Sequence, residues 1–119
     1  MENVLKEKSY SFAIRIVNAY KHLIEQNREY VLSKQLLRSG TSIGANVAEA
    51  NQAQSGPDFV SKLSIALKEC VETVYWLELL RDTDYLTPGQ AESLIADCGE
   101  LRAILISSIK TKKRSLGKG

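Results

Sequence analysis

The stretch Gln35-Leu36-Leu37-Arg38-Ser39-Gly40-Thr41-Ser42-Ile43-Gly44-Ala45-Asn46-Val47-Ala48-Glu49-Ala50 decides the fold that the sequence predicts. At 100° per residue its apolar positions share one side of a helix: Leu36, Ile43, Val47 and Ala50. Beside them lies a stripe of small residues at four-residue steps: Gly40, Gly44 and Ala48. A glycine inside a helix costs about 1 kcal/mol relative to alanine, so the stripe predicts a compensating close approach of a second helix.

The opposite arc of the same helix carries a polar stripe: Gln35, Arg38, Ser42, Asn46 and Glu49. Two interpretations are open. In one, Gln35, Arg38 and Asn46 face a ligand. In the other, the stripe is a hydrogen-bond network between helices or subunits. We favour the second interpretation, because small polar residues flanked by glycine and alanine suit close packing and buried polar groups need partners.

Outward from this segment, apolar residues recur at three- and four-residue steps in three further segments. Ser55-Gly56-Pro57-Asp58 separates the second helix from the third, and Thr87-Pro88 with Gln90 forms a capping box before the fourth. The sequence predicts an all-α fold, an antiparallel up-down-up-down four-helix bundle, because short connections make neighbouring helices antiparallel. The helices are expected near residues 3–27, 31–54, 58–82 and 88–112, so that the bundle spans residues 1–112 and a disordered basic tail spans residues 113–119.

The third helix has more apolar surface than one bundle can bury. Its main stripe runs through Phe59, Leu63 and Cys70, and a second side carries Ile65, Trp76, Leu79 and Leu80. Large exposed apolar patches usually mark interfaces, so these four residues are predicted to form a contact between subunits.

Charge is unevenly distributed along the chain. The last ten residues hold five of the sixteen basic residues and no acid, so the preceding 109 residues hold eleven basic against fourteen acidic residues, a net charge of −3. A basic terminus on an acidic body predicts a candidate nucleic-acid contact at Lys110, Lys112, Lys113, Arg114 and Lys118, to which Arg38 of the polar stripe is added.

No apolar run is long enough for a membrane span, and no secretion signal is visible, so a cytoplasmic protein without membrane contact is expected. Cys70 and Cys98 lie on apolar stripes and are predicted to be buried, reduced thiols. His22 is the only histidine and is predicted to be exposed. Neither a phosphate loop nor a Glu-x-x-His pair occurs. We therefore expect no catalytic residue, metal ligand, cofactor or small-molecule substrate, and no enzymatic activity.

The segment from Gln35 to Ala50 resembles the second helix of the four-helix-bundle family of 23S ribosomal RNA intervening-sequence proteins, whose pattern is roughly QLxRSxxSxxANxAE. Agreement continues in the third helix through Phe59, Leu63, Ala66, Glu69, Glu72 and Leu77. One departure is the stretch Gln26-Asn27-Arg28-Glu29-Tyr30, where many members have a Phe-Pro pair.

The resemblance implies a short bacterial bundle that assembles into a five-fold ring, similar to the accessory variability proteins of diversity-generating retroelements, which bind a reverse transcriptase and nucleic acid. Two functions follow as hypotheses. The first is a non-catalytic, homopentameric accessory protein that binds RNA or other nucleic acid. The alternative is a protein-binding scaffold or adaptor ring that contacts a partner protein and no nucleic acid.

Overall fold

Four helices account for almost the whole chain in the computed structural model, which describes the backbone of residues 2–118 and the side chains of residues 4–117. They are α1 (Glu2–Glu25), α2 (Leu32–Ala50), α3 (Gly56–Asp82) and α4 (Pro88–Lys118). The connections are five or six residues long, and no strand occurs among residues 2–118. Contacts join α1 to α2, α2 to α3, α3 to α4 and α4 back to α1. The predicted four-helix bundle is therefore confirmed.

The core lies between the four apolar stripes and is built largely from the predicted positions. Fully buried side chains include Phe12, Ile16, Leu36, Leu63 and Leu105. Ser39 and Thr73 bring a polar contact into this core: the Thr73 hydroxyl donates to the Glu69 carbonyl at 2.7 Å, and its oxygen lies 3.1 Å from the Ser39 hydroxyl oxygen. The pair is satisfied, so it joins α2 to α3 without leaving a buried polar group unpaired.

The small residues of α2 allow α1 to approach closely. A Cβ atom added to Gly40 would lie 2.7 Å from Cγ1 of the buried Ile16, and one added to Gly44 would lie 3.3 Å from the backbone oxygen of Ser9. Ala48 is exposed and does not take part. The contact between helices predicted at this stripe therefore occurs, through its two glycines and against α1.

The capping signals before α4 are confirmed. The Gln90 backbone N–H donates to the Thr87 hydroxyl at 3.1 Å, and the Gln90 side chain accepts from the Thr87 backbone N–H at 3.0 Å. At the start of α3, the Ser55 hydroxyl accepts from the Asp58 backbone N–H at 3.1 Å. Ser55 is therefore the N-cap of α3, and Gly56 lies within its first turn.

The first turn of α2 is held by Glu29, a cap that the sequence analysis did not predict. Its carboxylate accepts from the backbone N–H groups of Val31 at 3.1 Å, Leu32 at 2.7 Å and Ser33 at 2.8 Å. Glu29 is 7% exposed. Burial acts to raise the pKa of this carboxyl, but the three backbone donors outweigh burial and lower the pKa below its ordinary value. The ionised form therefore stabilises the folded state.

Two helix ends differ from the prediction by more than two residues. α2 stops at Ala50 rather than near residue 54, because Gln52 and Ala53 bond back to the carbonyls of Glu49 and Ala50 and tighten the last turn. α4 continues to Lys118, so the predicted disorder of residues 113–118 is wrong, and Gly119 lies outside the described residues. Lysine and arginine are good helix formers, and cations near a helix C-terminus interact favourably with the helix dipole.

The contact between α1 and α4 is the least tightly packed of the four. A cleft of about 490 Å³ lies along it, lined in part by Glu7, Asp97 and Glu100. Polar contacts bridge the two helices. The Lys8 ammonium pairs with Glu100, and the Arg15 guanidinium donates to Asp97 at 2.5 Å and to the Ser93 hydroxyl at 2.9 Å. These ion pairs are exposed, and such pairs contribute about 0–1 kcal/mol each.

Replacing Gly44 by leucine should destabilise the protein. The added side chain meets the α1 backbone, which cannot rotate away as a side chain can, so we expect a loss of about 1–3 kcal/mol in the free energy of unfolding. Gly99→Leu is the matched control, because no atom lies within 4 Å of a Cβ at Gly99 and leucine is the better helix former. Urea unfolding of both variants measures the difference; equal stabilities would show that α1 does not need the glycine.

Glu29→Gln should reduce stability at neutral pH by about 0.5–2 kcal/mol, the usual range for losing a helix cap. The pKa of Glu29 is lower in the folded state, so its contribution is present above the ordinary value of 4.5 and is lost as the pH falls through the folded-state pKa. The gap between wild type and Glu29→Gln should therefore close in acid. Urea unfolding from pH 7 to pH 3 tests this, with the exposed Glu25→Gln as control; a gap independent of pH would contradict it.

Candidate nucleic-acid interface

The last two turns of α4 carry a cluster of cations on ordered helix. Lys110, Lys113 and Arg114 are exposed and Lys112 is half-buried, while the side chain of Lys118 lies outside the described ones. None of these four cations forms an ion pair with a carboxylate among the described side chains. From Leu101 onward the chain contains no acid. We call these four residues the basic end of the bundle.

Contacts with α3 hold the basic end in place. The Leu116 side chain covers Gly56, where an added Cβ would lie 2.5 Å from Leu116 Cδ2. The Lys112 ammonium lies over the Phe59 ring, 5.5 Å from its centroid. A cation–π contact of this kind is worth about 0.5–1 kcal/mol at an exposed site. The cations therefore have a defined position relative to the bundle.

A cavity of about 300 Å³ opens beside the basic end. Its walls come from α1, α3 and α4 and from Asn51, the C-cap of α2, at the end of the bundle where α3 begins and α4 finishes. The lining combines apolar and polar side chains: Leu5, Asn51, Phe59, Leu63, Ser108, Thr111, Lys112 and Ser115. This cavity is not predictable from the sequence, because its walls are far apart in the chain and no local pattern links them.

Arg38 does not join the basic end. It lies near the middle of the bundle, where its charge acts to lower the pKa of Glu69 on α3. Burial and the neighbouring Glu72 prevail, so the pKa of Glu69 is raised. Arg38 is therefore close enough to the Glu69 carboxylate to affect it, an unfavourable setting for phosphate.

The other polar residues of α2 satisfy one another or reach α3. The Ser42 hydroxyl donates to the Arg38 carbonyl at 2.6 Å, and the Asn46 amide donates to the Ser42 carbonyl at 2.9 Å. Glu49 pairs with Lys62 of α3 at 3.3 Å. Gln35 is half-buried. The Ser42 and Asn46 bonds stay within α2, and of these contacts only the Glu49–Lys62 pair joins two helices, so the network between helices or subunits stays a prediction.

The four predicted interface residues of α3 have different environments. Leu80 is fully buried in the chain's own core, so its assignment to a subunit contact is wrong. Its position follows from the helical phase, which turns it toward the core beside Leu77. Trp76 and Leu79 are half-buried, and the Trp76 indole N–H donates to Glu72 at 3.2 Å. Ile65 remains 38% exposed.

Another uncovered apolar surface lies on α1, where the sequence did not predict one. Tyr10 is 68% exposed and Ile14 is 50% exposed, one turn apart. Val17 continues the same face, and the neighbouring arc of α2 presents the small exposed residues Ala45 and Ala48. The sequence does contain this outer face as a set of positions in α1 without a charged residue. It is hard to recognise there, because the same helix also carries the apolar stripe that faces the core. We call this surface the α1–α2 outer face.

The two cysteines and the histidine lie where the sequence predicted them. Cys70 and Cys98 are free and fully buried, as predicted, and the Cys98 thiol lies 3.4 Å from the Cys70 carbonyl oxygen. His22 is exposed. Among the described side chains, no group of three or more His, Cys, Asp or Glu residues is placed to hold a metal ion. Within residues 2–118, no helix has the length and apolar character of a membrane span.

Comparison with known proteins assigns the family. A sequence model of the 23S rRNA-intervening sequence protein family matches residues 1–107. The chain belongs to that family. The resemblance recognised in the second helix is thereby confirmed, including across the departure at residues 26–30.

A solved relative supports the same assignment. It is described as a protein with unknown function from the S23 ribosomal protein family of Bacteroides thetaiotaomicron. It is 60% identical, with a TM-score of 0.91, and the match covers 92% of the present chain and 97% of the relative. No protein with a curated description matches the sequence. The family and fold are established, while the relative is of unknown function and identifies no activity.

Proposed function

We propose that this family member is a non-catalytic, cytoplasmic accessory protein that assembles into a homopentamer and binds RNA through its basic end. The observation that supports RNA binding most strongly is the ordered end of α4, where four cations have no carboxylate partner among the described side chains. Lysine and arginine on such a surface bind phosphates and release counterions from the nucleic acid. The family assignment supports the same proposal.

Assembly into a ring allows weak contacts with phosphates to give useful affinity for RNA. A basic end carries few charges in one chain, and the 109 residues before Lys110 have a net charge of −3. In a closed ring each copy presents its own basic end, so an RNA that meets one is held close to the next at high effective concentration. The α1–α2 outer face is the contact surface that we propose, since it is apolar, uncharged and uncovered.

A protein-binding scaffold is the second candidate. Val71 is 59% exposed and Tyr75 is 56% exposed beside a groove of about 500 Å³ between α3 and α4, and such a groove can receive an apolar segment of a partner protein. This candidate requires no contact between the basic end and RNA. The RNA-binding experiment below separates the two.

Neutralising the exposed cations of the basic end should weaken RNA binding. In the variant Lys110→Gln, Lys113→Gln, Arg114→Gln, we expect lower affinity and a reduced dependence of log K on log salt, by about 0.7–0.9 for each lost phosphate contact. The control removes three exposed cations at the opposite end of the bundle: Lys21→Gln, Arg28→Gln and Lys34→Gln. Both variants have the same net charge. Fluorescence anisotropy across a salt series measures the slopes; equal losses in both, or no binding by the wild type, would contradict the proposal.

Light scattering should give the wild type a mass of five 13.2 kDa chains. Ile14→Glu puts a charge at the centre of the α1–α2 outer face, where burying it in a contact is costly, so we expect the ring to dissociate with helical content unchanged. Val71→Glu is the control, because Val71 has a similar exposure on a different face. A monomeric wild type would refute the assembly, and dissociation by Val71→Glu alone would move the contact to α3.

A further inference from the structure

The cavity at the basic end differs in its chemistry from the larger cleft between α1 and α4. The cleft between α1 and α4 is lined by Glu7, Asp97 and Glu100, whose carboxylates repel phosphate. The cavity at the basic end has no acid among its lining residues and has one cation, Lys112. Its volume of about 300 Å³ is at the lower end of the range found for small-molecule sites, which suits one flat ring.

The cavity has an apolar wall and a polar wall. Leu63 is buried and Phe59 is half-buried with its ring packed against the core, so this wall is flat, fixed and partly aromatic. Ser108, Thr111 and Ser115 follow at three- and four-residue steps and so line one side of α4 with hydroxyl groups. A hydroxyl both donates and accepts, which allows it to pair with either kind of edge atom on a heterocycle.

The surroundings of the cavity are cationic. Lys110, Lys113 and Arg114 are within one turn of Lys112 on α4, yet none of the three lines the cavity. A ligand that fits this arrangement has a flat, partly apolar ring with polar edges and is joined to a chain of phosphates. Those are the features of an unpaired nucleotide within a nucleic-acid strand.

We propose that this cavity binds one unpaired base of RNA, so that the protein selects single-stranded segments rather than duplex. The inference rests on the proposed RNA binding and adds its selectivity. Bases of a duplex are stacked and paired and cannot enter, whereas a base in a loop or at an end can turn outward onto an aromatic side chain.

In the free protein, the Lys112 ammonium covers one face of the Phe59 ring. Stacking a base on a phenylalanine is more favourable than an exposed cation–π contact, so an entering base displaces the ammonium. The lysine chain remains anchored on α4 beside the strand, where its charge can meet the phosphate of the bound nucleotide. Lys112 thus changes partner on binding, from the ring to the backbone of the RNA.

The experiment compares two RNA probes with the same number of phosphates, a single-stranded oligonucleotide and a fully paired duplex, by fluorescence anisotropy on the full chain. The wild type should prefer the single strand. Phe59→Leu keeps an apolar side chain in the wall but removes the ring, and should weaken single-strand binding about fivefold or more while leaving duplex binding unchanged. Phe59→Tyr should restore the preference, which separates stacking from a general packing defect.

Lys113→Gln is the matched charge control. It should weaken binding to both probes and lower both salt slopes, with the preference for the single strand retained. Equal affinity of the wild type for the two probes would overturn the base cavity but leave RNA binding standing. So would an equal loss for both probes in Phe59→Leu with its helical content intact. Absence of binding to either probe would overturn the proposed function as well.

Discussion

The close approach of α1 to α2 at Gly40 and Gly44 is the contact on which the rest of the bundle depends. Two glycines inside a helix cost about 1 kcal/mol each in propensity. In return Ile16 is fully buried over Gly40, and the α1 backbone comes so close to Gly44 that an added Cβ would lie 3.3 Å from the Ser9 backbone oxygen. Ser39, next to Gly40 in the chain, faces α3 and lies with its hydroxyl against that of Thr73. The close packing of α2 against α1 thus follows from the absence of two side chains.

The sequence predicted the elements of this fold wherever the deciding interaction is local. Thr87, Pro88 and Gln90 are adjacent in the chain, and their capping box forms as expected. The glycine stripe also predicted a close helix contact, although not that α1 is the partner. The Glu29 cap was not predicted, because a glutamate at this position caps the helix only when its carboxylate turns toward the three backbone N–H groups that follow it. The length of α4 was missed because Leu116 gains its contact with Gly56 from another helix.

For the candidate site, the sequence predicted which types of residue are present, but it did not predict which residues lie together in the fold. The basic character of the chain end is visible in the sequence, and so is the exposure of most of its cations. Arg38 was grouped with them on charge alone, whereas the structure places it beside Glu69. Leu80 was assigned to an outer surface because the boundary between the core stripe and its flank is only tens of degrees wide on a helix. The cavity beside Phe59 needs residues from three helices and from the C-cap of α2, so no spacing rule could indicate it.

The burial of the two cysteines has a consequence for how the bundle opens. Thiol reagents attack the thiolate, and the contact of Cys70 with Cys98 together with burial raises the pKa of Cys70, so the intact core suppresses its reaction. Modification then proceeds through molecules in which α3 and α4 have separated. The rate at which a small thiol reagent labels the native protein therefore measures how often α3 and α4 separate. Such opening motions cannot be seen in the folded structure itself.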